Sequence, residues 1–168
     1  MEEELFGKNV KLIVSEIDGI ITDGTYAEDE IGNIIYKIYN SKDFDAINEL
    51  RRYFKFAFLS SDNRINYNMC KRKNISFYWA KNEREKLEKL GEIMRRYSIT
   101  PDETVYVGSK ISDRKCLQTV PNSLCPEDAG NLIKDVCFAY FIKESGKGIL
   151  VELLDLLQDR IQNIKKSE

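Results

Sequence analysis

The fold is decided by one stretch of sequence, residues 10–24, which reads VKLIVSEIDGIITDG. Its first part, residues 10–17, is too apolar for a strand with one face in water and is typical of a central strand buried on both faces. Its second part, residues 18–24, is a glycine-marked loop with acidic side chains. In an open α/β sheet, ligands bind beyond the carboxyl end of such a strand. The stretch therefore predicts a central strand followed by a binding loop.

Outward from this strand, short β-prone runs alternate with segments of helical period, which predicts a parallel sheet covered by helices. Ser41 or Asp43 is the expected N-cap of the first helix. The predicted helices cover residues 43–53, 63–73, 82–97, 112–118 and 148–164, the further strands cover 56–59, 75–79 and 104–107, and shorter units lie at 120–124 and 136–141. Two β-prone runs, residues 25–28 and 34–39, flank a turn-forming stretch and predict a hairpin insertion over about residues 24–39.

Length and composition limit the class of protein. The chain has 168 residues, 42% of them hydrophobic, so we expect one domain over residues 1–168. Lys and Arg total 26 against 28 Asp and Glu, and no basic block stands apart as a nucleic-acid surface requires. No apolar run approaches the roughly 20 residues of a membrane span, and the acidic start, residues 1–4, lacks the features of a signal peptide. We expect a cytoplasmic protein without nucleic-acid or membrane partners.

Cysteine and histidine usage limits the chemistry. The cysteines Cys70, Cys116, Cys125 and Cys137 show no C-x-x-C spacing, and histidine is absent. A structural zinc site is therefore not expected. Any acid or base chemistry must use carboxylates, Lys or Tyr.

The loop after the first strand resembles the first motif of the haloacid-dehalogenase (HAD) phosphatases, Asp-x-Asp-Gly-x-x-Thr-Asp-Gly. Only the first carboxylate differs, because Glu16 stands in its place. In that family the first Asp attacks phosphorus and ligates magnesium, and the second protonates the leaving oxygen and activates water, a role that the resemblance gives to Asp18. The resemblance implies the HAD-like Rossmannoid fold, a three-layer sandwich with a central parallel sheet between helices.

The three later motifs of the family follow in order. Ser60, after the strand at residues 56–59, matches the hydroxyl that holds a phosphate oxygen. Lys86 matches the lysine that neutralises charge, although Arg84 is a competing candidate. The fourth motif, Gly-Asp-Asp-x-x-Asp, retains its Gly and its last acid, Asp113, whereas its middle acids are replaced by Ser109 and Lys110.

These replacements bear on the magnesium ion that the family implies. The resemblance places Glu16, Asp18 and Ser109 around it. Glu16 moves the carboxylate by more than about 1 Å, and Ser109 removes a charged ligand while Lys110 adds a positive charge. We expect magnesium binding to be weak or lost. Our hypothesis is that the Lys110 ammonium partly substitutes for the metal by pairing with Glu16 or Asp18; the alternative is that Lys110 points to solvent.

A hairpin in place of a cap domain resembles the capless branch that includes the 3-deoxy-D-manno-octulosonate (KDO) 8-phosphate phosphatases. Residues 39–43 resemble its Phe-Asn-Val-x-Asp segment and residues 144–148 its Gly-Gly-Arg-Gly tail. The resemblance implies a homotetramer that associates through the hairpins. The implied substrate contacts are Ser60, Ser61, Asp43 and Lys147.

A closer resemblance is to the C-terminal domain of animal CMP-sialic acid synthetases, carried by residues 112–117 and 126–129. There the same catalytic positions are replaced and the domain resembles an assembly module. Because the chain has no cytidylyltransferase part, such a role would be exercised alone or in trans with a sugar-nucleotide pathway enzyme.

Two functions follow from these resemblances. The first is a catalytically degenerate module for oligomerisation or for binding a phosphorylated sugar acid. The second is a slow magnesium-dependent phosphomonoesterase for such sugars, with Glu16 as an imperfect nucleophile. The paired changes at Glu16 and Ser109 favour the first function.

Overall fold

The computed structural model describes residues 6–168, so the expectation for the acidic start, residues 1–4, lies outside the described residues. Single turns of 3-10 helix cover Pro101–Glu103 and Ile111–Asp113. The elements in chain order are β1 (Leu12–Ser15), β2 (Ala27–Glu28), β3 (Ile34–Tyr36), α1 (Ser41–Leu50), β4 (Lys55–Ser60), α2 (Ile65–Lys73), β5 (Ser76–Trp79), α3 (Glu83–Arg96), β6 (Thr104–Val107), α4 (Arg114–Thr119), β7 (Asn122–Cys125), α5 (Asn131–Lys134), β8 (Ala139–Tyr140), α6 (Ile149–Leu156) and α7 (Gln158–Ser167).

The central sheet is parallel and has six strands in the order β5-β4-β1-β6-β7-β8. β1 lies in the middle, and its last residue, Ser15, is in register with Phe58 of β4 and Val107 of β6. All four residues of β1 are buried, as the apolar sequence predicts. The carboxyl ends of β1, β4 and β6 therefore meet at one edge of the sheet, which confirms the predicted α/β architecture.

Helices cover both faces of the sheet because side chains alternate along each strand. Ile13 packs on one face with α1, α2, α6 and α7, through residues such as Ile47, Met69 and Leu153. Leu12 and Val14 pack on the other face, where the core is completed by residues of α3, α4 and α5: Leu90, Ile93, Cys116, Leu117 and Ile133. The sheet is thus packed between two hydrophobic cores, which hold in place the edge where the loops after β1, β4 and β6 begin.

Two helix predictions need correction. The C-terminal helix predicted over residues 148–164 is two helices, α6 and α7, which meet at Leu157. Both Leu157 and Ile161 are buried, so the bend keeps the apolar side of each helix against the core. The N-cap of α1 is Asn40, whose side chain accepts a hydrogen bond from the Lys42 N–H at 3.0 Å, rather than Ser41 or Asp43.

β2 and β3 form a separate antiparallel pair, the hairpin predicted after the first strand. Its strands are shorter than the runs at residues 25–28 and 34–39. The hairpin stands away from the core and exposes apolar side chains, namely those of Tyr26, Ile31, Ile35, Tyr36 and Ile38. None of the helices within residues 6–168 is long and apolar enough to cross a membrane.

Candidate active site

A fully buried ion-pair cluster lies beneath the carboxyl edge of the sheet. Glu16 follows β1, Lys86 lies in the first turn of α3, and Asp113 ends the turn after β6. The Lys86 ammonium donates to Glu16 Oε2 and, at 2.8 Å, to Asp113 Oδ1. The other oxygen of Glu16 accepts from the Ile17 N–H at 2.9 Å. Both oxygens of Glu16 are therefore occupied by groups of the chain itself.

Of the two carboxylates in this cluster, Asp113 accepts more hydrogen bonds. Its carboxylate accepts from the Tyr106 hydroxyl at 2.7 Å and from the N–H groups of Ser109 and Lys110 at 3.0 and 2.9 Å. Gly108 permits this arrangement, because a Cβ there would lie 2.6 Å from the Cβ of Asp113. Burial alone would raise the pKa of Asp113, but the charge and hydrogen bond of Lys86 outweigh it and hold the pKa below its usual value.

Burial has the larger effect on Glu16. It raises the pKa of this carboxyl, and the nearby charge of Lys86 offsets the effect only in part. The pKa of Lys86 is itself raised: burial would lower it, but the two carboxylates around the ammonium dominate. One cation thus serves two buried anions, and its removal would leave both carboxylates buried without a partner.

Asp18 lies two residues beyond Glu16, at the bottom of an open cleft. Its Oδ2 accepts from the Lys37 ammonium at 2.8 Å and from the Asn66 amide at 2.9 Å. The Lys37 side chain is only 1% exposed and also pairs with Asp62 at 2.7 Å. The Lys110 ammonium is farther away, 4.0 Å from the same Asp18 oxygen, and its side chain is 39% exposed.

The Lys110 hypothesis is therefore modified. Lys110 points neither wholly to solvent nor into contact with Asp18, and the ammonium that contacts Asp18 belongs to Lys37 of the hairpin.

Ser60 ends β4 and is fully buried next to the cleft. Its hydroxyl oxygen accepts from the Asn66 amide at 3.0 Å and from the Asp62 N–H at 3.2 Å. Asn66 is held from its other side by the Tyr39 hydroxyl, which donates to Asn66 Oδ1 at 2.9 Å. Asn66 thus joins Ser60 to Asp18, the positions that the resemblance assigns to phosphate binding and to acid chemistry.

A cavity of about 440 Å³ opens above these residues. This volume lies in the range of small-molecule sites, about 300–1,000 Å³. Its polar lining comes from the sheet edge, the hairpin and the loop after β4, and includes Asp18, Lys37, Ser61, Asp62, Arg64 and Lys110. Glu16 and Lys86 do not line this cavity, because both are fully buried in the ion-pair cluster.

The residues at the expected metal position do not fit magnesium. Magnesium prefers an octahedron of oxygen ligands that includes carboxylates, yet Ser109 is neutral and its hydroxyl lies 3.4 Å from the Asp18 carbonyl oxygen. The carboxylate of Glu16 is turned toward Lys86. Within residues 6–168 there is no group of three or more acidic, His or Cys side chains that could hold a metal ion.

The structure brings Glu16, Asp18, Ser60 and Lys86 together with Ser109 and Asp113, as predicted from their positions. The choice between Lys86 and Arg84 is settled, because the Arg84 side chain is 78% exposed and Lys86 is buried.

Asp43 is placed in the interior instead of on the cleft, which corrects its prediction as a substrate contact. Its Oδ1 accepts from the N–H groups of Leu150 and Val151 at 2.9 and 3.3 Å and thereby ties α1 to the start of α6. Its Oδ2 is buried and has no hydrogen-bond partner among residues 6–168. Burial raises the pKa of Asp43 to about 6, although the two N–H groups oppose the shift. Lys147 is exposed and lines a second cavity, of about 460 Å³, between the hairpin and Gly146.

Sequence reasoning missed Lys37 and Asn66. The burial of Lys37 depends on how the hairpin folds over the sheet edge, and no local pattern in the sequence signals it. Asn66 does have a signal, because it shares the buried side of α2 with Met69 and Cys70 at helical spacing. A polar residue on an apolar helix face is a candidate for a buried hydrogen bond.

Comparisons with known proteins agree with this geometry. The KDO 8-phosphate phosphatase KdsC of Haemophilus influenzae is 24% identical over 159 residues, which cover 94% of the chain and 86% of that protein. A probable YrbI-family phosphatase from Pseudomonas syringae superposes with a TM-score of 0.86 at 21% identity, covering 99% of the chain and 94% of its own. The chain has the HAD-like fold. Its similarity in sequence and structure is to KDO 8-phosphate phosphatases.

A solved structure with bound ligands is also similar in fold. A KDO 8-phosphate phosphatase from Moraxella catarrhalis, solved with magnesium, phosphate and KDO, has a TM-score of 0.83 at 19% identity, covering 94% of the chain and 90% of that protein. No protein-family model matches the sequence. The resemblance to CMP-sialic acid synthetase domains stays a prediction.

Proposed function

We propose that this chain is a catalytically degenerate module that binds a phosphorylated sugar acid without hydrolysing it. The observation that carries the proposal is the position of Glu16, whose carboxylate is fully buried and has both oxygens occupied by Lys86 and the Ile17 N–H. In-line attack on phosphorus needs a carboxylate that faces the cleft, and a misplacement of about 1 Å can cost roughly a hundredfold in rate. Glu16 would have to abandon the ion-pair cluster to reach a substrate.

Weak magnesium binding is part of the same proposal. Ser109 offers a neutral hydroxyl where the family has a carboxylate, and Lys110 brings an ammonium close to Asp18. Both changes disfavour a divalent cation at this place. Calorimetric titration with magnesium chloride is expected to show no saturable binding below millimolar concentration.

Phosphate release from a panel of sugar phosphates tests the proposal. We expect no release by the unaltered chain in the presence of magnesium. The double substitution Glu16→Asp and Ser109→Asp is the gain-of-function control, because it restores both carboxylates. Magnesium-dependent release by the unaltered chain that disappears on Asp18→Asn would overturn the proposal.

A second candidate is a slow magnesium-dependent phosphomonoesterase acting on a sugar-acid phosphate, such as KDO 8-phosphate or a sialic acid phosphate. It is favoured by the similarity to KdsC along 94% of the chain and by the retention of Asp18, Ser60 and Lys86. The release assay separates the two candidates directly. The second requires turnover by the unaltered chain, whereas the first excludes it.

An assembly role is proposed alongside binding: a homotetramer that associates through the hairpin. Its support is the exposed apolar surface of the hairpin, where Ile31 and Ile38 are 78% and 77% accessible. Light scattering at micromolar concentration is expected to give the tetramer mass, and Ile35→Lys is expected to lower it. Ile142→Lys, at an exposed isoleucine outside the hairpin, is the control. A monomeric unaltered chain would refute the assembly.

A further inference from the structure

We propose that the cavity above Asp18 binds a tetrahedral dianion, such as the phosphate of a monoester, directly on the side chains of Lys110 and Arg64 and without a divalent cation. This inference rests on the proposed binding function and specifies its ligand chemistry. It departs from the family's use of a metal, since the residues around Ser109 do not fit one.

Two of the lysine ammonium groups at or beneath the cleft are already paired with carboxylates. Lys86 is shared by Glu16 and Asp113 below the floor. Lys37 lies between Asp18 and Asp62, at 2.8 and 2.7 Å, and is 1% exposed. Each of these ammonium groups therefore serves two carboxylates and has little left for a ligand.

Lys110 and Arg64 differ from them. Within the described part of the chain, the carboxylate oxygen nearest to the Lys110 ammonium is that of Asp18 at 4.0 Å, beyond hydrogen-bond distance. That oxygen already accepts two hydrogen bonds. The Arg64 guanidinium donates to the carbonyl oxygen of Ile34 and forms no ion pair among residues 6–168. Both side chains line the 440 Å³ cavity, so its uncompensated charge is positive.

Lys110 is held by its backbone at the edge of the cleft. Its N–H donates to Asp113 Oδ2 at 2.9 Å, and the neighbouring Ser109 N–H donates to the same oxygen at 3.0 Å. The loop is thus anchored to the buried cluster, while the 39% exposed Lys110 side chain remains available. A divalent cation beside Ser109 would be repelled by this ammonium, whereas a phosphate dianion would be attracted to it.

The single tryptophan of the chain gives a direct readout. The Trp79 Nε1–H donates to the carbonyl oxygen of Ser61 at 3.2 Å, and Ser61 lines the cavity. A ligand that orders the loop after β4 is therefore expected to change the fluorescence of Trp79.

The test is a fluorescence titration of the full chain, with isothermal calorimetry as a second measurement. Inorganic phosphate is one probe and glucose 6-phosphate the other, which separates free phosphate from a monoester. Each is titrated once in EDTA and once in magnesium chloride. We expect saturable binding of at least one probe, with dissociation constants that agree within about twofold in the two buffers.

Variants assign the binding to Lys110. Lys110→Gln is expected to weaken binding by roughly tenfold to a hundredfold, the effect of losing one charge-assisted hydrogen bond. Lys115→Gln, an exposed lysine on α4 that does not line the cavity, is the matched control and should leave binding unchanged. Near-UV circular dichroism confirms that each variant is folded.

Three outcomes would overturn the inference: no binding of either probe, binding only in magnesium, or an effect of Lys110→Gln no larger than that of Lys115→Gln. The proposed function fails separately, through phosphate release by the unaltered chain. A chain that releases phosphate yet binds it in EDTA would contradict the proposed function and leave this inference standing.

Discussion

Substitution of Lys86 by Met is the most direct test of the buried ion-pair cluster. Met has a similar length and is apolar, so the main change is the loss of one ammonium from a fully buried site. Glu16 and Asp113 would then be buried without their shared cation. Breaking a buried ion pair by removing one partner costs about 3–5 kcal/mol, so we expect Lys86→Met to lower the free energy of unfolding by this amount.

The matched control is Lys89→Met, three residues along α3. The Lys89 ammonium pairs with Glu92 at 2.7 Å on the partly exposed side of the helix. Surface pairs contribute about 0–1 kcal/mol. Urea unfolding followed by circular dichroism measures both variants. In thermal melts, a cost of 3–5 kcal/mol corresponds to a shift of about 6–20 °C for a chain of this size.

Glu16→Gln completes the experiment. The Lys86–Asp113 pair remains, and one of two carboxylates competing for the same ammonium is removed. We expect a change within about 1 kcal/mol for Glu16→Gln alone, as for a conservative change that keeps hydrogen bonding. We also expect Glu16→Gln with Lys86→Met to be more stable than Lys86→Met alone. Equal costs for Lys86→Met and Lys89→Met would refute the reasoning.

Three further predictions follow from other buried groups. Asp43→Asn should reduce the pH dependence of stability, because burial raises the pKa of Asp43 from 3.8 to about 6. The protonated carboxyl therefore contributes stability below about pH 4. This contribution, about 3 kcal/mol, is lost as the pH rises through about 6. Urea unfolding of both chains across this range measures the difference. Lys37→Ala should speed amide hydrogen exchange in the hairpin relative to Lys42→Ala, because Lys37 is its buried ionic link to the cleft. Gly19→Ala should lower stability by at least about 1–2 kcal/mol, because Gly19 has φ +79° and an added Cβ would lie 2.2 Å from Ser109 Oγ; Ser109→Gly should recover part of this loss in urea unfolding.

Each of these has a contrary result. Parallel stability curves for the unaltered chain and Asp43→Asn would show that Asp43 titrates normally. Unchanged hairpin exchange in Lys37→Ala would mean that backbone pairing alone holds β2 and β3. No recovery by Ser109→Gly would place the whole cost of Gly19→Ala in the backbone.

The position of the site was predictable because parallel strands end at a common edge. Once residues 10–17 were read as a central strand, Asp18, Ser60 and Ser109 had to lie near one another, since each follows a strand of the same sheet. Lys86 was predictable only through the resemblance, because a lysine on a charged helix is usually solvated. Its burial results from the packing of α3 against α4 and the turn Ile111–Asp113, which places the ammonium between Glu16 and Asp113.

The pairing of charges was not predictable from the sequence. The motif pattern places Lys110 beside Asp18, because Lys110 belongs to the fourth motif. In the structure, however, the ammonium in contact with the Asp18 carboxylate is that of Lys37. Which ammonium contacts Asp18 depends on how the hairpin packs over the cleft, and this packing is set by tertiary structure rather than by local sequence. The prediction for Asp43 as a substrate contact is wrong for a similar reason. Its hydrogen-bond donor, the Leu150 N–H of α6, lies 107 residues away in sequence.

The carboxylate of Glu16 lies in the interior of the domain, where it pairs with Lys86. Selection for a well-folded chain and selection for hydrolysis therefore act on position 16 in different ways. A screen that enriches thermally robust variants has no reason to recover an aspartate there, because a shorter side chain would draw back from Lys86. The restored nucleophile would then have to be compensated elsewhere in the cluster before it could persist.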